Sequence, residues 1–221
     1  MNRPSRRTRV RRNPKKGRYE PERIHSILDR GLVGNVAFIE QGQPVCIPML
    51  YARIENKLYI HGSRASRMMR LLSAGAPACF TMTVVDGLVL ARSAFEHSAN
   101  YESVVAFGTF EEVADSGERL LALASFTNKL VPGRWDEVRH PNEKELKATM
   151  VLAMPLAEAS AKVRSGPPDD DETEDAALDV WAGELPLVHS FQPPIASAGL
   201  REGIAIPESV RELSGPPTSS T

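Results

Sequence analysis

The sequence predicts a mainly β fold, an antiparallel β-barrel with short α-helices. About six or seven runs rich in Val, Ile, Phe and Thr are separated by short turns, which is typical of hairpins and small barrels. The helical patterns between these runs are short. The strand–helix alternation and the glycine fingerprint of a doubly wound dinucleotide-binding sheet are both missing from the sequence, and that fold class is therefore excluded.

One folded domain is predicted to occupy most of the chain. With 221 residues, of which 42% are hydrophobic and 25% charged, the chain is long enough for one well-buried core and too short for two. We expect a basic disordered arm over residues 1–18, a folded domain over residues 19–190 and a weakly ordered tail over residues 191–221.

Charge is concentrated in the arm. Residues 1–18 contain nine of the 27 Lys and Arg residues and no acid, which leaves 18 basic against 28 acidic residues in the rest of the chain. Such an arm can contact nucleic acid or anionic lipid, but it is short, lacks aromatic side chains and joins a body that repels phosphates. We therefore favour a disordered solubilising tail, or a segment folded back onto acidic surface, over nucleic-acid binding.

The first half of the domain is predicted to be a short helix followed by a meander of strands. Pro21 suits the first helical position, and the apolar stripe of this helix consists of Ile24, Ile27 and Leu28. Three strands joined by tight turns are predicted over residues 35–40, 43–54 and 57–61. A second helix is predicted after Ser63.

Strands and helices alternate in the second half. The strands are predicted over residues 76–85, 88–91 (after a turn at Asp86-Gly87), 103–113 and 149–154, with a last strand within 181–187. Asp115 and Glu118 predict the start of a helix that continues to Leu130. Its apolar face is assigned to Leu120, Leu121, Leu123, Ala124 and Leu130. Asn142 and Glu145 predict the start of another short helix.

The segment 58–72 has the pattern of a phosphate-binding turn. A strand ending in His61 and Gly62 is followed by a helix start that carries Ser63, Ser66 and Arg67. Hydroxyl and guanidinium groups beside the unpaired N–H groups of a helix start favour an anion. The alternative is structural: Ser63 caps the helix while the arginines are solvated. The segment alone does not decide between these interpretations.

Several other classes of site lack support in the sequence. The histidines are scattered without ligand-like spacing, and no Walker loop, zincin helix or nucleophile elbow occurs. Cys46 and Cys79 lie in apolar runs, which predicts buried reduced thiols in a cytoplasmic protein without a metal site. No apolar stretch is long enough to span a membrane.

A set of short motifs carries a resemblance to a known family. Any one of them is weak, but their order and spacing together are specific for the fold, and they span roughly residues 9–187. The motifs are Ile-Leu-Asp at 27–29, Gln-Pro-Val-Cys-Ile-Pro at 43–48, Leu-Tyr-Ile-His-Gly-Ser at 58–63, Gly-Leu-Val-Leu-Ala-Arg-Ser at 87–93, His-Ser-Ala-Asn-Tyr-Glu-Ser-Val-Val at 97–105, Pro-Gly-Arg-Trp at 132–135, Glu-Leu-Lys-Ala-Thr at 145–149, Ala-Ser-Ala-Lys-Val-Arg at 159–164 and Trp-Ala-Gly at 181–183. In these motifs the chain resembles the flavin-nucleotide-binding proteins related to pyridoxamine 5'-phosphate oxidase and to nitroimidazole-reductase-like proteins.

The resemblance implies a split β-barrel homodimer that binds FMN in clefts between its subunits. It places the backbone of Ile47, Pro48 and Met49 along the flavin ring. The groups implied to reach the ribityl chain and phosphate are His61, Gly62, Ser63, Ser66 and Arg67. Ser103 is implied to be a polar contact of the flavin, and Asn100 and Tyr101 are implied to lie near the dimer seam.

One residue departs from the family pattern. The family usually has arginine after the Asn-Tyr pair, where this chain has Glu102. A carboxylate opposes a bound phosphate, so Glu102 either points away, pairs with Arg92 or Arg134, or marks a changed pocket. Because side chains alternate along a strand, we expect Ser103 to be the inward residue and Glu102 to point away.

The predicted function is an FMN-dependent oxidoreductase that uses a small-molecule substrate and an electron donor. Flavins supply the redox chemistry themselves, so no catalytic triad is required. His61 is the candidate catalytic residue, as a proton donor or substrate orienter; a purely structural histidine is the alternative. The alternative function is a flavin- or haem-binding module that stores or senses its ligand without turnover, and a deazaflavin in place of FMN also remains open.

Overall fold

The structure is a computed structural model that describes residues 4–170 and 173–214. Residues 1–3 of the predicted arm, residues 171 and 172, and residues 215–221 of the predicted tail lie outside the described residues. The strands are β1 (Gly17–Arg18), β2 (Val33–Glu40), β3 (Gln43–Leu50), β4 (Ala52–Ile54), β5 (Lys57–Ser63), β6 (Pro77–Leu90), β7 (Ser98–Thr109), β8 (Glu111–Glu112), β9 (Thr149–Pro155), β10 (Ala159–Arg164) and β11 (Gly183–Pro186). The α-helices are α1 (Pro21–Arg30), α2 (Arg67–Ser73), α3 (Ser116–Leu130), α4 (Glu143–Ala148) and α5 (Glu208–Ser214).

Two antiparallel sheets form the body of the protein. The larger sheet has the order β1-β10-β7-β6-β2-β3, with β11 paired to β6, and the smaller sheet has the order β4-β5-β9-β8. The prediction of a mainly antiparallel β fold with short helices is confirmed. Across the described residues the two hydrogen-bonded ladders remain separate, so the barrel is an open one made of two sheets.

Two clusters of buried side chains hold these layers together. The larger cluster fills the space between the inner faces of the two sheets and includes side chains from α1 and α2. The smaller cluster joins the outer face of the four-stranded sheet to α3. Strand β5 contributes to both, because Leu58 and Ile60 belong to the larger cluster and Tyr59 to the smaller one.

The helices begin where their capping residues predict. Pro21 occupies the first turn of α1, and the Asp115 side chain accepts a hydrogen bond from the Glu118 amide at 2.7 Å. At α4, Asn142 and Glu145 form a reciprocal capping box. The predicted apolar face of α3 is only partly right: Leu123 packs against the smaller cluster, but the buried residues of the helix are Ala122 and Phe126. Among the leucines assigned to that face, Leu120, Leu121 and Leu130 are exposed.

A β-bulge replaces the turn predicted at Asp86-Gly87. Strand β6 continues from Pro77 to Leu90, and its register with β7 shifts between Val85 and Gly87. The strand continues because β7 pairs with it on both sides of the bulge and β11 pairs with its last residues. One extra residue thus bends the strand without ending it. The strand predicted over 103–113 accordingly begins earlier, at Ser98.

Residues 4–18 fold back onto the body, which is the second of the two interpretations favoured for this segment. Gly17 and Arg18 pair with β10, and Arg7 forms an ion pair with Glu158. The Val10 amide donates a hydrogen bond to the Tyr19 hydroxyl at 2.9 Å. Part of the basic charge therefore lies against an acidic group of the same chain.

The segment after β11 is mostly exposed and ends in α5. The Ser209 hydroxyl in α5 donates a hydrogen bond to the Glu137 carboxylate at 2.5 Å, which joins α5 to the turn that follows α3. Both cysteines are free, but the predicted burial is wrong for Cys46, which is exposed on the outward row of β3. Among the described residues no helix is both long and apolar enough to cross a bilayer.

Candidate functional site

The proposed site residues of the segment 58–72 lie on two different sides of β5. Ile60 points into the larger core, and Met68, Met69 and Leu72 of α2 pack there as well. His61 is the next residue, and it contacts Phe126 of α3 on the other side. The alternation of the strand therefore separates the His61 side chain from α2.

Ser63, Ser66 and Arg67 lie together at the turn between β5 and α2. The Ser66 amide donates to the Ser63 carbonyl at 2.9 Å, and the Ser66 side chain caps α2 by accepting a hydrogen bond from the Met69 amide. The alternative in which Ser63 is the cap is therefore wrong. Gly62 allows α2 to approach, since a Cβ there would lie 3.1 Å from Met69 Cγ. The turn thus presents two hydroxyl groups and a guanidinium group close together.

Arg67 is held only loosely at this turn. Its Nε lies 2.9 Å from the Glu40 carboxylate, and its side chain is 72% exposed. Exposed ion pairs contribute little free energy, whereas charge-assisted hydrogen bonds to a phosphate contribute roughly 1.5–3 kcal/mol each. The guanidinium group is therefore free to exchange Glu40 for a stronger anion.

His61 is a half-buried imidazole with an unsatisfied ring nitrogen. Its Nδ1 is enclosed and has no hydrogen-bond partner within the part of the chain that the structure describes. The ring meets the Phe126 ring edge to face at 4.4 Å. Burial lowers the pKa of His61, because loss of water disfavours the charged form. The imidazole is therefore neutral at physiological pH.

A cavity of about 450 Å³ opens beside His61. Strand β5, the end of β3, helices α3 and α4, and the turn between these helices form its walls. The apolar lining consists of Leu50, Leu123, Phe126, Leu130, Trp135, Val138, Pro141 and Leu146. The size falls within the range of ordinary small-molecule sites, about 300–1,000 Å³.

Ile47, Pro48 and Met49 lie in β3, at the edge of the larger sheet. Ile47 and Met49 are partly buried and pack on the larger core, while Pro48 is exposed on the opposite row. Leu50 is on the same row as Pro48 and lines the cavity beside His61. The structure therefore brings the last residue of β3, and not the whole row, to the cavity beside His61.

Asn100, Tyr101 and Ser103 lie elsewhere, in β7. Two strands, β6 and β2, separate β7 from β3 in the larger sheet, and neighbouring strands are about 4.8 Å apart. Asn100 is buried and accepts a hydrogen bond from Arg164, and the Ser103 hydroxyl donates to the Lys162 carbonyl at 3.3 Å. Within one chain, these residues are not brought together with the β5–α2 turn.

Glu102 occupies the core-facing row of β7, and this corrects the predicted orientation. Glu102, Val104 and Ala106 are buried in alternation, while Ser103 is on the half-buried opposite row. The partners of Glu102 are Arg23 and Arg30 of α1, and not Arg92 or Arg134. The carboxylate thus ties β7 to α1 and is neutralised by two guanidinium groups.

Sequence reasoning missed the helical wall opposite His61. Phe126 and Leu130 lie on one face of α3, and Trp135 follows in the next turn, where it stacks on His140 with ring centroids 4.4 Å apart. The spacing of Leu123, Phe126 and Leu130 was the available signal. The predicted apolar face included both leucines but omitted Phe126. This wall is what turns the outer face of β5 into a cavity.

The architecture and the site define a class of protein: a split-barrel protein with an exposed β-strand–turn–helix segment beside an apolar cavity. A family model described as pyridoxamine 5'-phosphate oxidase matches residues 20–163. The chain belongs to the pyridoxamine 5'-phosphate oxidase family.

Two solved structures are similar over nearly the whole chain. The flavocytochrome Anf3 from Azotobacter vinelandii is 36% identical, with a TM-score of 0.88, and the match covers 95% of this chain and 97% of that one. The FAD and heme binding protein from Mycobacterium smegmatis is 39% identical, with a TM-score of 0.85, over 90% of this chain and 98% of that one. These similarities include residues on both sides of the segment that the family model matches.

A third solved structure shares the fold at lower similarity. A putative 5-nitroimidazole antibiotic resistance protein from Bacteroides thetaiotaomicron is 20% identical, with a TM-score of 0.57, over 66% of this chain and 86% of that one. No curated protein matches the chain.

Proposed function

We propose that this protein is a flavin-nucleotide-binding oxidoreductase. The observation that carries the proposal is the similarity, over almost the full length of the chain, to a flavocytochrome and to an FAD and heme binding protein. The geometry of the β5–α2 turn supports it, because hydroxyl and guanidinium groups converge there. When bound, the flavin supplies the electron-transfer chemistry.

The flavin phosphate next to the ribityl chain is assigned to the β5–α2 turn. The Ser63 and Ser66 hydroxyl groups donate to it, and the Arg67 guanidinium group leaves Glu40 to bind it. This phosphate is common to FMN and FAD. The family resemblance suggests FMN, whereas the similar FAD and heme binding protein suggests FAD. Chromatography of the released cofactor distinguishes the two.

The flavin ring is assigned to the surface formed by Ile47, Pro48 and Met49. The outward row of β3 is apolar at Pro48 and Leu50, and an apolar surface suits the flat ring. The β7 residues Asn100, Tyr101 and Ser103 reach such a ring only from a second copy of the chain. The proposal therefore includes a homodimer with two sites that both subunits complete.

The substrate is assigned to the class of small organic molecules, with a separate electron donor such as a nicotinamide. A neutral imidazole at His61 can hydrogen-bond a substrate or accept its proton. In the alternative, a flavin-binding module without turnover, the β5–α2 turn binds the phosphate in the same way, but His61 does not act as an acid or base. Turnover therefore has to be tested separately from binding.

Haem binding is a second candidate function, and a specific observation favours it. Both proteins that are similar over nearly the whole chain are described as a flavocytochrome or as heme binding, and the chain has an apolar cavity beside a neutral imidazole. Both ligands can bind to one chain, because the flavin turn and this cavity lie on different sides of β5; a haem bound by His61 would take the place of the acid–base role of that residue.

An absorbance spectrum of the purified protein tests flavin binding. We expect flavin bands, and chromatography of the cofactor released by denaturation identifies FMN or FAD. Arg67→Ala should weaken flavin binding by roughly tenfold or more, because charge-assisted hydrogen bonds to the phosphate are lost. Arg70→Ala is the matched control in the same helix and should bind as the wild type does. A colourless protein that quenches neither FMN nor FAD fluorescence contradicts the proposal.

Anaerobic reduction tests turnover. Bleaching of the flavin bands by NADH or NADPH followed by reoxidation with a nitroaromatic acceptor, or bleaching by an amine substrate that is itself oxidised, supports the oxidoreductase. Flavin that remains oxidised with every donor leaves the binding module. Sedimentation of the flavin-loaded protein tests the homodimer, and a monomer that retains full flavin affinity excludes a site shared between subunits.

A further inference from the structure

The cavity beside His61 is suited to one particular group. We propose that the His61 imidazole is an axial ligand of a haem iron held between β5 and the wall formed by α3, α4 and the turn between them. This inference rests on the haem-binding function proposed above and names its site. It assigns the His61 side chain to a metal and not to proton transfer.

The first argument is the state of the imidazole. Nδ1 is enclosed and unpaired, and among the residues that the structure describes Nε2 has no hydrogen-bond partner either. Because Nδ1 is closed off, Nε2 is the nitrogen with which the imidazole can bind a ligand in the cavity that His61 lines, and an unpaired polar group in a cavity wall favours such a ligand. Histidine is the usual proximal ligand of haem in proteins that bind it non-covalently.

The second argument is the chemistry of the walls. Phe126 contacts the imidazole at one side, and Leu50, Leu130 and Trp135 line the space around it. A porphyrin is flat and largely apolar, and a pocket with apolar and aromatic walls and a few polar groups suits such a ligand.

Two charged residues with exposed side chains, Arg139 and Glu145, line the cavity. Arg139 forms a two-pronged ion pair with Glu145, with N–O distances of 2.7 and 2.9 Å, and both residues line the cavity. A guanidinium group has five donors, so Arg139 can bind a propionate while it retains Glu145. The Glu145 carboxylate opposes a propionate at the same place, which confines the propionates to the Arg139 side of the cavity.

Hemin titration of the purified chain tests the assignment. We expect a Soret band that is red-shifted from free hemin and that saturates at one hemin per chain. His61→Ala should lose the shifted band and weaken hemin binding by roughly tenfold or more, because the coordinating bond is removed. Added imidazole should restore the band by entering the space left by the side chain. His97→Ala, an exposed histidine outside the cavity, is the matched control and should titrate as the wild type does.

The possible outcomes distinguish the assignment of His61 as the iron ligand from haem binding itself. A wild-type protein that never shifts the hemin spectrum overturns both. A wild-type shift that His61→Ala reproduces with the same affinity overturns the axial assignment and leaves haem binding in place. Circular dichroism checks the fold of each variant. If His61→Ala does not fold, His61→Met tests the same bond, because thioether ligation gives a different spectrum; an unchanged spectrum overturns the assignment.

Discussion

The two faces of β5 differ in how completely the surrounding residues pack against their side chains and pair their polar groups. On the inner face, Leu58 and Ile60 are completely buried among apolar side chains of both sheets. On the outer face, Tyr59 donates a hydrogen bond to Glu118 at 2.7 Å, while His61 has an unpaired nitrogen beside a cavity. One side of the same seven-residue strand thus packs in the core and stabilises the fold. The other side carries an imidazole without a hydrogen-bond partner, next to a cavity.

The inner face should be the most sensitive to truncation. Ile60→Ala removes a side chain with no solvent exposure, and it should lower the free energy of unfolding by about 2–5 kcal/mol. Ile60→Val should cost only about 0.5–1.5 kcal/mol. Urea denaturation of both variants measures the difference. Equal and small effects would mean that the inner face is no better packed than the outer one.

A charged group on the core-facing row of β7, Glu102, can be compared with an exposed ion pair in the same way. Glu102→Ala removes the carboxylate partner of Arg23 and leaves Arg30 with Asp86 alone, and we expect a loss of about 1–3 kcal/mol. The cost stays below that of a fully buried pair because both arginines can turn to water. Glu112→Ala, which removes an exposed ion pair with Arg64, is the control and should change stability by less than about 0.5 kcal/mol. A Glu102 variant as stable as this control would show that the core-facing charge is not structural.

Tyr59→Phe measures what the outer face contributes. The variant keeps the ring in the smaller core and removes only the hydrogen bond to Glu118, so the free energy of unfolding should fall by about 1 kcal/mol. Glu118→Gln tests the same bond from the other side. The hydrogen bond from Lys57, and to a lesser extent that from Tyr59, lowers the pKa of the Glu118 carboxyl. The stabilisation that these bonds give is therefore present above the ordinary pKa of 4.5 and is lost as the pH falls below it.

The smallest effect concerns His61 in the cofactor-free protein. Burial lowers its pKa below 6.5, so the unfolded chain binds this proton more readily than the folded one. Stability should therefore fall as the pH decreases below about 6.5. His61→Gln should show a weaker dependence between pH 7.5 and pH 5, measured by thermal unfolding at each pH. Parallel pH profiles of the two proteins would show that burial does not disfavour the charged imidazole.

Local signals predicted the parts of the fold that local chemistry determines. The caps at Asp115 and Asn142 are short-range hydrogen bonds, and both are present. The bulge after Val85 depends on how β7 and β11 pair with β6, and those strands are distant in sequence. A Gly next to an Asp is equally typical of a hairpin turn, so the sequence alone favoured the wrong alternative.

The candidate site was only partly accessible to sequence reasoning for the same reason. The turn with Ser63, Ser66 and Arg67 is a contiguous segment, and its motif is visible in the sequence. The partners of Glu102 come from α1, and the row of β7 that faces the core is set by packing. In that strand both rows contain polar residues, so alternation did not reveal which row is buried. The wall opposite His61 likewise comes from a helix far along the chain.

The two edges of the larger sheet are finished in different ways. Gly17 and Arg18 cover one edge by pairing with β10. The other edge is β3, which carries Pro44 and Pro48 on its outward row. Proline has no N–H to donate, so β3 lacks two of the backbone donors that an added strand would need for pairing. Addition of further strands at this edge is thereby discouraged, so the two prolines protect the sheet from edge-to-edge aggregation.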